Sequence, residues 1–339
     1  MNQERDKYWD CLKFALIFLV VYGHTIEIGN ISDGSFNRGM YNSIFLFHMP
    51  LFVFVSGRFS HISDREKYKS GIFRIFETYI LVQAIMTFVP AIINNSIDIR
   101  TFISFIISPG WTLWYLLSLI YWRIMIFIIP HRLLMEHKLI VLLVSIFIGI
   151  FGGFVPIGST LAIQKTMAFL PFFIAGYYST QVNIRNYINK IPRLVAFIVL
   201  CAAFLVVFFF CNFNIGYVVS CSSSFWYVPE ISPWLRCGER ITAFIIAVIF
   251  SFMFMRIVFE NEKTAKYGTK TLFIYIGHSF IVSLLKLGAA KGYIPTGELL
   301  LFAYSIVIVF VLVLLARIQI LNNLLNPISY MGRIIAKNK

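Results

Sequence analysis

From Phe14 to Val21 every residue is apolar, and runs of this kind recur along the whole chain. They fall at roughly 11–29, 41–60, 72–94, 110–130, 138–155, 160–179, 193–219, 238–258, 271–290 and 297–320, close to the roughly 20 apolar residues that carry a helix across a bilayer. The pattern predicts an all-α, polytopic integral membrane protein with about ten transmembrane helices. No polar stretch exceeds about 25 residues, so residues 1–339 are expected to form one transmembrane domain without a separate soluble part. No internal repeat is visible, nor a pair of matching interrupted helices of the kind that builds many transporters.

Composition sharpens this reading. Apolar residues make up 59 % of the chain and charged residues 13 %, about half the charged share of a soluble domain. A net charge of +14 would suit nucleic acid, but the basic residues sit in short loops between apolar runs, which is the pattern of membrane topology. Counting Lys and Arg puts about 18 on one set of loops and ends and about 4 (Arg38, Arg100, Arg236, Lys291) on the other. Both termini are therefore expected in the cytoplasm and the protein in the plasma membrane, with no nucleic-acid partner. The charged N-terminus lacks a small-residue cleavage site, so no cleavable signal is expected. Five cysteines show no C-x-x-C spacing, which removes zinc-ribbon and thioredoxin-like readings. Cys221 and Cys237 fall in or beside one non-cytoplasmic loop, where a disulfide between them stays open. That loop, about 213–237, either caps a site or is plain surface.

The first run carries the sharpest chemistry. At 100° per residue, Asp10, Lys13 and His24 fall within roughly 60° on one helical face, with Lys13 about 16 Å along the axis from His24. Ionisable groups inside a membrane are costly and mark substrate or ion paths. Burial favours a neutral His24 able to accept a proton, and Glu27 stands one turn on, where it can hold the ring. The competing reading is a histidine that hydrogen-bonds between helices as structural glue. In the second run, His48 is expected at the depth of His24, Pro50 to bend the helix around a cavity, and Gly57 to permit close helix approach. Two histidines at one level do not make a metal site without further ligands, so no metal is expected. Trp111, Trp114 and Tyr115 are either an interfacial belt or a stacking surface for a sugar acceptor. His278 falls near mid-membrane. Lys69 and Arg74, with Arg65 and Lys67, form a basic mouth for anionic lipid or a phosphorylated ligand. Arg123, Lys165 and Lys286 read as lysines and arginines that snorkel to the headgroups. Physics alone leaves open both a group-transfer enzyme and a transporter or flippase of a lipid-linked sugar.

Asp10-x-x-Lys13-x10-His24, followed by Phe47-His48-Met49-Pro50-Leu51-Phe52 and Ser56-Gly57, resembles the membrane acyltransferase-3 family. The opening Arg5-Asp6-x-x-x-Asp10 and the run Phe47–Gly57 are most similar to its fucose 4-O-acetylase-like branch. Trp114-Tyr115-Leu116-Leu117 and Gly268 to His278 are similar to the family's later signatures. The resemblance implies transfer of an acetyl group from cytoplasmic acetyl-CoA, with no permanently bound cofactor, to a sugar hydroxyl of a cell-envelope or exported glycan. It makes His24 the catalytic histidine, acting as general base or as a covalent acetyl relay, with Asp10 beside a donor-placing Lys13. Many relatives carry two arginines three apart at the third span, then Pro-Tyr. Here Lys69 and Arg74 precede Glu77-Thr78-Tyr79, so the residues that hold the CoA phosphates stay open.

Overall fold

The structure, a computed structural model, describes residues 6–29, 31–211, 215, 218, 221, 224–227 and 231–331. The termini on which the orientation argument leans, including Arg5, Arg333, Lys337 and Lys339, lie outside the described residues, as does much of the 213–237 loop. Among the described residues every regular element is helical. The principal helices are α1 (Lys7–Ile26), α2 (Phe36–Arg58), α3 (Arg65–Ile93), α4 (Ile99–Ile107), α5 (Trp114–Ile128), α6 (His131–Glu136), α7 (Lys138–Phe151), α8 (Ile163–Tyr178), α9 (Ile184–Asn189), α10 (Arg193–Phe210), α11 (Pro233–Ile257), α12 (Glu262–Gly268), α13 (Thr271–Ala290), α14 (Glu298–Leu315) and α15 (Gln319–Leu324).

Each of the ten apolar runs carries a helix, and among the described residues 7 helices are long and apolar enough to cross a membrane: α1, α2, α3, α10, α11, α13 and α14. The runs at 110–130, 138–155 and 160–179 give shorter helices because their ends break. Residues 111–113 turn before α5 begins. Gly152–Phe154 tightens into a 3-10 turn after α7. Ahead of α8, Leu161 and Ala162 adopt φ of 50° and 57°, a left-handed conformation that costs about 1–3 kcal/mol at a non-glycine residue. Helix starts follow side-chain capping: Asp6 accepts from the Tyr8 amide, Asp64 from those of Glu66 and Lys67, and Asn261 from those of Lys263 and Thr264, which satisfies amides that have no partner inside the helix.

The chain divides into two compact units. The first comprises residues 1–55, 179–219 and 241–318. In it α1 packs against α12, α13 and α14, burying Leu12, Leu16, Ile17 and Ile26 completely. Gly268 ends α12 against the Asp10 backbone, where an added Cβ would stand 1.9 Å from the Asp10 carbonyl oxygen. Tyr8 donates to the Met255 carbonyl at 2.6 Å. Arg185 pairs with both Asp6 and Glu260, and Lys7 with Glu262.

The second unit comprises residues 56–178, 220–240 and 319–339. There α3 packs on α4 and α5, α5 on α8, and α8 on α7. Gly57 lets its helix touch the Phe173 backbone, 2.0 Å from an imagined Cβ, which is the close-approach role expected from sequence. Gln83 accepts from the Gly110 amide at 2.7 Å and donates to the Ser108 carbonyl at 2.8 Å, pinning α3 to the turn ahead of α5. Glu77 receives the Ser329 hydroxyl at 2.7 Å and the amides of Ile328 and Ser329, so it anchors the segment after α15. Cys221 and Cys237 are buried and not joined by a disulfide. Cys221 sits on a φ of 48° in the loop and Cys237 on α11, each seated in packing of its own. The described part of that loop packs down: Ser224 donates to the Gly153 carbonyl at 2.9 Å and the Trp226 indole to that of Phe154 at 2.8 Å.

Candidate active site

The first unit gathers three of the polar residues singled out from sequence at the end of α1. His24 and Glu27, one turn apart on one face, meet with Nδ1 of the ring 3.2 Å from Oε1 of the carboxylate. Glu27 is held from two other helices. Lys286 of α13 reaches its Oε2 at 2.8 Å, and the Tyr41 hydroxyl of α2 donates to its Oε1 at 3.4 Å. The His24 and Glu27 side chains are only 13 % and 17 % exposed. A neutral ring with its Nδ1–H toward this carboxylate carries its lone pair on Nε2. A ring so oriented, with a basic nitrogen directed away from its carboxylate, is equipped to accept a proton.

Aromatic rings frame it. His278 stacks on His24 with centroids 5.4 Å apart and planes 24° from parallel. His278 is fully buried, its Nδ1 lies 3.3 Å from the Ile274 carbonyl, and its Nε2 has no hydrogen-bond partner among the described residues. Phe45 stands edge-on to both His24 and His48, at 5.6 and 4.8 Å, and stacks on Tyr41 at 4.0 Å. His48 therefore shares the level of His24, as its helix position implies, but its Nδ1 proton goes to the Ile44 carbonyl at 2.6 Å. No group of three or more His, Cys, Asp or Glu among the described residues is arranged to hold a metal. Further down α1, Lys13 Nζ is 2.6 Å from Asp10 Oδ1, with Asp10 almost wholly buried. The pair and His24 belong to one helix, about 16 Å apart along it.

The remaining residues singled out from sequence lie in the second unit. Lys69 is exposed, pairs with Glu66 at 2.7 Å and stands 5.7 Å from the Phe127 ring. Arg74 is exposed. Trp111 is 38 % exposed. The Trp114 ring, expected as a stacking surface, is engaged by Phe169 at 5.3 Å and by the Lys165 ammonium at 4.7 Å. Tyr115 is buried with its hydroxyl 2.6 Å from that of Ser56.

Three side chains expected from sequence to snorkel also make contacts within the protein. Lys286 pairs with Glu27 at 2.8 Å. Lys165 lies over Trp114. Arg123 is drawn to Ser60 Oγ at 3.3 Å and to the Tyr68 ring at 5.9 Å. Tyr41 and Phe45 carried no signal in the sequence beyond an apolar run with a tyrosine in it.

Apolar helices of spanning length define a multi-pass membrane protein, and in its first unit a histidine and a carboxylate stand side by side at the end of α1. The acyltransferase-3 family model, described as an acyltransferase domain, matches residues 6–318. The chain belongs to this family, which makes it a membrane acyltransferase by family. No curated protein and no solved structure matches it.

Proposed function

We propose that the chain is an O-acetyltransferase of the fucose 4-O-acetylase-like branch, a single transmembrane domain in the plasma membrane with both termini cytoplasmic. It moves acetyl from cytoplasmic acetyl-CoA to a sugar hydroxyl of a cell-surface or exported polysaccharide, or of its lipid-linked precursor. The observation that carries the reading is the contact of His24 Nδ1 with Glu27, itself held by Lys286. His24 Nε2 takes the hydroxyl proton as the sugar oxygen attacks the thioester carbonyl. The C–O bond forms, the C–S bond breaks, and the imidazolium returns its proton to the departing thiolate. Glu27 stabilises the transient imidazolium, and Lys286 keeps Glu27 in place as a positioning residue. Asp10 holds Lys13 on the donor's path, with Lys69 and Arg74 assigned to the donor's phosphates. His48, His278, Trp111, Trp114 and Tyr115 are assigned to the acceptor side.

Lys286→Met is expected to slow transfer about tenfold or more, the scale of one charge-assisted hydrogen bond, with Lys286→Arg recovering most of it. An unchanged rate in Lys286→Met would end its positioning role. The donor assignment is tested with purified protein in nanodiscs, given acetyl-, butyryl- or palmitoyl-CoA and glycan extract. Acetyl-CoA should release free thiol and leave an alkali-labile ester on the glycan, and Lys13→Ala should raise the donor KM about tenfold. Release from palmitoyl-CoA alone would refute the acetyl reading, and an unaltered KM in Lys13→Ala would refute the lysine's part.

A further inference from the structure

A cavity of about 80 Å³ in the second unit is lined by Trp111, Trp114, Ser159, Gln164 and Lys165 among others, several times the roughly 10–15 Å³ that admits one water. Gln164 is fully buried. Its amide nitrogen donates to the Val155 carbonyl, while its amide oxygen has no hydrogen-bond partner among the described residues. A buried carbonyl oxygen in that state is unfavourable until an O–H or N–H, from a water or a ligand, reaches it. Lys165 follows it in the chain, its ammonium held 4.7 Å above the Trp114 ring. It supplies donors for a ligand oxygen. Trp111, 38 % exposed, offers an aromatic face that suits C–H groups.

One acceptor, one cationic donor and one aromatic wall complement the edge of a sugar ring, where a hydroxyl hydrogen, a neighbouring oxygen and a C–H face occur together. We propose that this cavity is a carbohydrate subsite: a sugar hydroxyl donates to Gln164 Oε1, an adjacent sugar oxygen accepts from Lys165 Nζ, and the ring lies on Trp111. The inference rests on the glycan-modifying reading above and names the side chains that hold the glycan. Lys165 gives the subsite a preference as well. It disfavours a sugar that presents an ammonium next to the bound hydroxyl. Pantetheine, whose amides also bring N–H groups, is the competing source of the same hydrogen bond.

The test is saturation-transfer NMR on the full chain in nanodiscs with methyl glucoside, methyl galactoside, methyl glucosaminide, pantetheine and sorbitol. At least one neutral glycoside should receive saturation above sorbitol, with the glucosaminide bound at least fivefold more weakly than the glucoside. Trp111→Ala and Lys165→Gln, each checked for wild-type melting, should raise the half-saturating glycoside concentration fivefold or more. No glycoside signal above sorbitol, equal signals in the two pocket variants, or variants that lose pantetheine instead of sugar would each overturn the proposal. If glycosides bind as expected but the wild type transfers no acyl group, the transferase reading falls and the subsite stands.

Discussion

Replacing His24 with alanine is expected to lower acyl transfer by about 10²–10⁴-fold, the contribution of a positioned general base, without preventing folding or donor binding. The reason lies in what the ring touches. Its Nδ1 meets Glu27 at 3.2 Å, the proposed mechanism assigns the proton transfer to Nε2, and alanine supplies neither atom. The ring is packed by His278 and Phe45, so its loss opens a small cavity and lowers stability by about 1–3 kcal/mol, less than folding requires. Glu27→Gln is the informative companion. A glutamine amide that donates to Nδ1 would move the ring proton to Nε2 and block base catalysis in the wrong tautomer, as happens when a catalytic dyad's carboxylate becomes an amide. Thiol release from acetyl-CoA, measured at saturating glycan in purified protein, reads both variants. Transfer within about threefold of wild type in His24→Ala would make the ring structural.

Gly268→Ala should abolish the folded protein or come close to it. The new Cβ would lie 1.9 Å from the Asp10 carbonyl oxygen and 2.5 Å from its carbon, and both atoms belong to the backbone of a packed helix that no side-chain rotation can relieve. Overpacking of this kind typically costs about 1–3 kcal/mol and more where backbone must move. Moving α12 away from α1 would also disturb the Asp10–Lys13 pair. Gly238→Ala is the contrasting substitution. It lies inside α11 with nothing within 4 Å of its added Cβ, so alanine should stabilise by about 0.5–1 kcal/mol through helix propensity. Thermal melting and membrane yield of the two variants, side by side, test the pair. Equal melting temperatures would mean that α12 does not rest on α1 as described.

The helices were legible in the sequence because apolar runs of spanning length have few other outcomes, and the His24–Glu27 contact because residues three apart on a helix face one another. Lys286 was not. It is 259 positions from Glu27, and a lysine near a helix end satisfies snorkelling and ion pairing equally well until the packing of α13 against α1 is known. Glu77 stood out in the sequence only as the start of the run Glu77-Thr78-Tyr79 after Arg74. Its role in capturing the backbone at Ile328 and Ser329 depends on a chain segment far away in sequence. Trp114 shows how packing refines a sequence expectation. An aromatic cluster at a helix start suggests an open stacking face, but Phe169 and Lys165 already engage this ring, and the polar group that marks the cavity is Gln164. The three short helices α5, α7 and α8 fell below spanning length at turns that hydrophobicity alone does not register, including the left-handed residues Leu161 and Ala162.

The measurement that bears most directly on the His24 centre is the acetyl-ester content of surface glycan from cells that express wild type, His24→Ala or neither, at matched protein levels in the membrane. The account predicts ester with the wild type only, and equal glycan yield in all three. Ester persisting with His24→Ala would contradict the assignment of the centre, and glycan yield that collapsed with no ester in any strain would contradict the transferase itself.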